Sequence, residues 1–113
     1  MKKLTIGVVG AGIYGNYHIH TYCCDKNVER VVFCDLNEER RIATADKYQI
    51  TGYKTVKEMI AQEQLDAISI ATPDPYHFEP AKDAMEAGIK YLFIEKPLAT
   101  SVKAVSYTHL RAH

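Results

Sequence analysis

The sequence predicts an α/β fold, a doubly wound parallel sheet with helices on both faces. Three observations carry that expectation. Short, nearly continuous apolar runs alternate with amphipathic segments of about three turns. The first run ends in the glycine-rich stretch Gly10-Ala11-Gly12-Ile13-Tyr14-Gly15. Pro73, Pro75 and Gly88 mark breaks between periodic segments, while Gly7 and Gly15 lie inside them.

Taken in order, Leu4 to Val9 is a β-branched run and reads as the first strand. Ile13 to about Asp25 reads as a helix, and Val28 to Cys34 as the second strand. Asn37 can cap a helix running to about Tyr48, with Ile42, Ala45 and Tyr48 at helical spacing on its core face. Thr51-Gly52-Tyr53 is a turn or a short third strand, and Thr55 with Glu58 forms a capping box that opens a helix to about Gln62. Ala67 to Ala71 is the fourth strand. Pro80 lacks an N–H and fits best at a first helical position, so the next helix is expected from about Glu79, with Ala81, Ala84 and Met85 inward. Gly88 supplies the left-handed stop, Tyr91 to Ile94 the fifth strand, and Ser101 the cap of one more helix.

With 113 residues the chain has room for one domain with a core, and too little for two. Lys plus Arg and Asp plus Glu both number 14, so no charge excess favours nucleic acid or an anionic membrane as a partner. Glycines interrupt the apolar start, which argues against a signal peptide, and no apolar stretch is long enough to span a bilayer. A cytoplasmic location is the expectation. Cys23, Cys24 and Cys34 lack a Cys-x-x-Cys spacing, and all three are expected as buried, reduced side chains. His109 and His113 are two potential ligands without a third, so no metal site is expected.

The glycine stretch matches the dinucleotide fingerprint GxGxxG. Gly10 permits the tight turn out of the strand, Gly12 lets the backbone approach a pyrophosphate, and Gly15 lets the helix pack close to the sheet. The amides of Gly12, Ile13 and Tyr14 would then meet the phosphates at the positive end of the helix. Asp35 stands 20 positions beyond Gly15, at the end of the second strand, where a carboxylate reaches the adenosine ribose. A carboxylate there also repels a 2′-phosphate, so NAD is expected over NADP. Arg40 and Arg41 are expected to face solvent.

Ligands in such sheets lie beyond the carboxyl ends of the strands, so Ala71-Thr72-Pro73 and Glu95-Lys96-Pro97 would border one crevice. Together with the glycine loop, Asp35 and His77, these motifs resemble the Gfo/Idh/MocA family, which groups glucose–fructose oxidoreductases, inositol dehydrogenases and related enzymes. The resemblance covers about residues 3 to 103. It implies a Rossmann domain that binds NAD, in a homo-oligomeric parent enzyme acting on a sugar, inositol or related polyol. It further implies that Lys96 assists proton transfer at the reacting alcohol or carbonyl, and that Glu95 contacts the nicotinamide ribose. Thr72, Pro73 and His77 would line the cofactor, while Pro97 would carry a cis peptide bond aiming Lys96 into the crevice. From the residues alone, a lysine after a strand is more often a solvated charge, and His77 can equally bond its own loop.

Members of that family continue into a second domain that supplies substrate contacts and a further acid–base residue. The family-like text fades near Ala104, and Val105 to His113 resembles translated sequencing-adapter nucleotides. The expectation is therefore a dinucleotide-binding domain over residues 1–104, incomplete at its carboxyl-terminal edge, with a foreign tail over 105–113. Such a piece should bind NAD weakly and turn over no substrate, because positioning groups are missing. A stand-alone NAD-binding or redox-sensing module is the alternative, although such a module has no need of Glu95-Lys96-Pro97. Another Rossmann-type reductase, such as an amino-acid-pathway dehydrogenase, is disfavoured by the same motif.

Overall fold

The computed structural model describes residues 3–71 and 78–94. Five strands, β1 (Leu4–Val9), β2 (Val28–Cys34), β3 (Gly52–Tyr53), β4 (Ala67–Ile70) and β5 (Tyr91–Ile94), alternate with four helices. The helices are α1 (Ile13–Cys23), α2 (Glu38–Tyr48), α3 (Val56–Gln62) and α4 (Phe78–Glu86). All strand pairs are parallel, in the order β3-β2-β1-β4-β5. The chain winds outward from β1 through β2 to β3, then crosses over to β4 and β5. Strand order thus reverses between β1 and β4, the place where such sheets open a ligand crevice.

The period-2 alternation of the strands divides the core in two. Ile6, Val8, Val31, Phe33 and Ala67 pack on one face with Ile19 and Tyr22 of α1 and Ala45 and Tyr48 of α2. Val9, Val32, Cys34, Ile68 and Ile70 pack on the other with Met59 and Ile60 of α3 and Ala81, Ala84 and Met85 of α4. Both faces are covered, which is why these strands read as unbroken apolar runs. Met59 sits directly on Gly7: a Cβ there would lie 2.8 Å from the Met59 Cε.

Element ends follow local chemistry. Asn37 Oδ1 accepts from Arg40 N at 3.0 Å and Thr55 Oγ1 from Glu58 N at 3.1 Å, each closing a helix N-terminus. The return arm of the expected capping box is displaced by one residue, since Glu58 Oε1 accepts from Lys54 N rather than from Thr55 N. Gly88 takes φ +76°, and Ile89 N reaches Ala84 O while Gly88 N reaches Met85 O, a Schellman stop.

Three expectations are corrected. The inward residue of α2 is Thr44, and Ile42 is 61% exposed, so the core face lies along Arg41, Thr44, Ala45 and Tyr48. Helix α4 includes Phe78, which makes Pro80 its third residue; the missing N–H still falls among the first-turn donors that no helix satisfies. Of the cysteines only Cys34 is buried, whereas Cys23 and Cys24 are exposed at the end of α1. No helix among the described residues is long and apolar enough to cross a membrane.

Candidate dinucleotide-binding site

The first turn beyond β1 is built by glycines with distinct tasks. Gly10 adopts φ +96°, a conformation L side chains rarely take, and its N–H continues the sheet ladder to Cys34 O at 2.8 Å. Gly15 packs against that same turn: a Cβ added to it would stand 1.9 Å from Gly10 O and 3.9 Å from the Ala71 Cβ. Helix α1 therefore approaches the β1 turn as closely as a backbone can. Around Gly12 there is room, for an added Cβ would meet nothing nearer than Arg40 Nη1 at 3.9 Å.

Gly12 is also the N-cap of α1 and, having no side chain, closes none of its amides. No acidic residue occupies the first turn of α1, whereas α2 and α3 have both side-chain caps and first-turn glutamates. The N–H groups of Ile13 and Tyr14 thus begin a helix without side-chain closure, and both side chains point outward, 87% and 65% exposed. Asn16 ties the loop down from within α1. Its Nδ2 donates to Ala11 O at 2.6 Å and Gly12 O at 3.1 Å, and it touches Thr44 Oγ1 at 3.5 Å.

Asp35 closes the site from the second strand, and its side chain is 4% exposed. A buried carboxylate needs donors, and this one has three. Oδ2 accepts from Ala11 N at 2.8 Å, while Oδ1 accepts from Asn37 N at 2.8 Å and Arg40 Nη2 at 3.2 Å. The carboxylate thereby straps the glycine loop to the start of α2. Its negative charge, next to burial, pushes the neighbouring Cys34 thiol up to about 12, with burial the larger cause. Cys34 is a core residue and no nucleophile.

The arginines depart only in part from the expected solvent-facing placement, since Arg40 remains 55% exposed. Arg40 and Arg41 turn back to the end of β2, Arg40 onto the Asp35 carboxylate and Arg41 Nη1 onto the Asp35 carbonyl at 2.9 Å. Leu36, 73% exposed beside them, adds an apolar surface. Ala71 continues β4 through Ala71 N to Val9 O at 2.9 Å, which sets it beside Gly15. Gly10, Gly12, Ile13, Tyr14, Gly15, Asp35 and Ala71 are therefore brought together at the strand-order reversal. Thr72, Pro73, His77, Glu95 and Lys96 lie outside the described residues, as do Pro97, Ser101 and the two carboxyl-terminal histidines. No cluster of three metal-ligating side chains occurs among the described residues. Sequence reasoning missed Asn16, Arg40, Arg41 and Thr44. Only Asn16 left a trace, a poor helix former one residue after the motif.

The open approach at Gly12, the uncapped amides of α1 and the buried carboxylate fit a dinucleotide. Ile13 and Tyr14 would hold its pyrophosphate and Asp35 its adenosine ribose.

The model of the GFO_IDH_MocA oxidoreductases, described as an NAD-binding Rossmann fold, matches residues 4–110. An inositol 2-dehydrogenase/D-chiro-inositol 3-dehydrogenase of Shouchella clausii is 36% identical over 99 residues, covering 85% of this chain and 28% of that protein. A UDP-N-acetylglucosamine 3-dehydrogenase of Acidithiobacillus ferrooxidans is 35% identical over 97 residues, covering 86% of this chain and 29% of that protein. Among solved structures, the WlbA dehydrogenase of Bordetella pertussis in complex with NADH and UDP-GlcNAcA superposes with a TM-score of 0.82 at 28% identity. That superposition covers 98% of this chain and 32% of the other. The chain thus spans less than a third of the length of these relatives.

Proposed function

Since the chain belongs to the Gfo/Idh/MocA oxidoreductase family and has its NAD-binding Rossmann fold, we propose that it forms the cofactor-holding part of an NAD-dependent dehydrogenase acting on a secondary alcohol. The substrate class we assign is a sugar, an inositol or a related polyol. Relatives named for inositol and for a nucleotide sugar support that class. The observation that carries the cofactor reading is the joint geometry of α1 and Asp35. Gly15 seats the helix against the Gly10 turn, its opening amides have no cap, and the carboxylate holds Ala11 in place.

When bound, NAD supplies a hydride acceptor. The amides of Gly12, Ile13 and Tyr14 orient the pyrophosphate, and Asp35 accepts from the ribose hydroxyls. Lys96 is assigned the alcohol oxygen, where its neutral amine would accept the hydroxyl proton and the resulting ammonium would hydrogen-bond the carbonyl oxygen that forms. Glu95, Thr72, Pro73 and His77 are assigned to the nicotinamide side of the crevice.

Calorimetric titration of the folded 113-residue chain with NAD and 5′-AMP tests the cofactor reading. Saturable binding of both is expected, and a chain with intact circular dichroism that binds neither would overturn it. The chain alone should form no NADH from myo-inositol or glucose, because its 113 residues span less than a third of the length of the relatives named for such substrates and positioning supplies much of the rate. Steady NADH production would refute that part.

A further inference from the structure

The rim of the ribose site holds a cation that the carboxylate can spare. Asp35 already receives two backbone N–H groups at 2.8 Å, from Ala11 and Asn37. The Arg40 contact is longer, 3.2 Å, and that side chain remains 55% exposed. Withdrawing Arg40 therefore leaves no lone buried charge behind. Its other nitrogen, Nη1, stands 3.9 Å from the point where a Cβ on Gly12 would sit, so the guanidinium lies between the carboxylate and the amides that open α1. Arg41 has no such freedom, since it is engaged with the Asp35 carbonyl.

We propose that Arg40 is a specificity-determining residue that makes the adenosine end of the site accept NADP as well as NAD. The inference rests on the dinucleotide reading above and deepens it. A carboxylate alone rejects a 2′-phosphate by repulsion, while an arginine nearby accommodates one. Here both charges stand at the same ribose position, and opposite unit charges at comparable distance offset each other to first order. With NAD, the guanidinium stays on Asp35 at the edge of the sugar. With NADP, it turns from Asp35 to the phosphate, whose oxygens match its planar fork of donors. Asp35 keeps its two backbone donors throughout.

The test is calorimetric titration of the full chain and its Arg40→Ala and Arg40→Lys variants with NAD, NADP, 5′-AMP and 2′,5′-ADP. Melting curves verify that each variant is folded. The wild-type chain should bind NADP within about tenfold of NAD, as expected when attraction and repulsion nearly cancel. Arg40→Ala should weaken NADP and 2′,5′-ADP by roughly tenfold or more relative to NAD and 5′-AMP, the range for a lost charge-assisted hydrogen bond. Arg40→Lys should restore part of the loss. Equal loss of all four ligands, or no loss of the two 2′-phosphorylated ones, would overturn the proposal. So would wild-type chain that binds NAD but rejects NADP by more than about a hundredfold, a discrimination of about 2.7 kcal/mol. Wild-type chain that binds none of the four would instead overturn the dinucleotide reading on which the proposal stands.

Discussion

The Gly15→Ala substitution sets a local gain against a tertiary loss. Inside a helix, alanine is favoured over glycine by about 1 kcal/mol, so propensity alone predicts a more stable chain. The site predicts the reverse. The added Cβ would stand 1.9 Å from Gly10 O and 2.7 Å from the Gly10 carbonyl carbon. Carbon–oxygen contacts under about 3 Å are essentially not tolerated, so helix or turn must move by about an ångström. Gly10 is poorly placed to move, held at φ +96° and hydrogen-bonded to Cys34. Forced overpacking of this kind costs about 1–3 kcal/mol. The expected net effect is a loss of up to about 2 kcal/mol, or a fall in Tm of up to roughly 15 °C for a domain of this size. The opening of α1 moves with the helix, so NAD binding should weaken by roughly tenfold or more. Gly12→Ala is the control. Its Cβ has no neighbour within 3.9 Å and its φ of −74° suits any residue, so Tm should hold within a few degrees while NAD affinity falls. Differential scanning calorimetry and NAD titration read both variants. A Gly15→Ala chain that melts higher and binds NAD unchanged would refute the close-packing argument.

Thiol labelling at pH 8 of the native chain should modify Cys23 and Cys24 and spare Cys34, which is buried and whose pKa is pushed up to about 12. Mass spectrometry showing three rapid modifications would contradict the packing around β2. Acid sensitivity has an identifiable source in Glu63, which accepts Arg30 Nε and Nη2 at 2.9 Å each and the Tyr53 hydroxyl at 2.5 Å. The Arg30 hydrogen bonds, followed by that of Tyr53, hold the Glu63 carboxyl below its usual range against the opposing effect of burial. A depressed folded-state value contributes stability above the unfolded pKa of about 4.3, and that stability is lost as pH falls through the folded value. Glu63→Gln should therefore lower Tm near pH 7 and flatten its decline between pH 5 and 3. An unchanged slope across that window would remove Glu63 as the source.

Much of this architecture was legible because β1, β4 and the second half of β2 bury both faces and so print as apolar runs. The β2 limits, the Asn37 cap, the Gly88 stop and the Asp35 position all depend on one or two residues close in sequence. What was not legible depends on where long side chains travel. Arg40 and Arg41 look like solvated charges on the exposed side of α2, and apolar patterning does not say that both reach back to the end of β2. Thr44 lies inward where Ile42 was expected because α2 is rotated so that Thr44 meets Asn16 of α1, a contact 28 positions apart. Cys23 and Cys24 follow the last turn of α1 around to solvent, although their residue type is usually interior. Side-chain reach and the rotation of each helix decide these, and apolar periodicity carries no information about them.

Asp35 does two jobs with one side chain, and redesign of the cofactor preference inherits that economy. Exchanging the aspartate for a small neutral residue, to welcome a phosphorylated ribose, would take the acceptor from two amides at once, the buried one of Ala11 and the part-buried one of Asn37. The glycine turn and the second helix would come unfastened from each other by the same edit. An engineer working on this chain would do better to leave the acid in place and vary the guanidinium beside it.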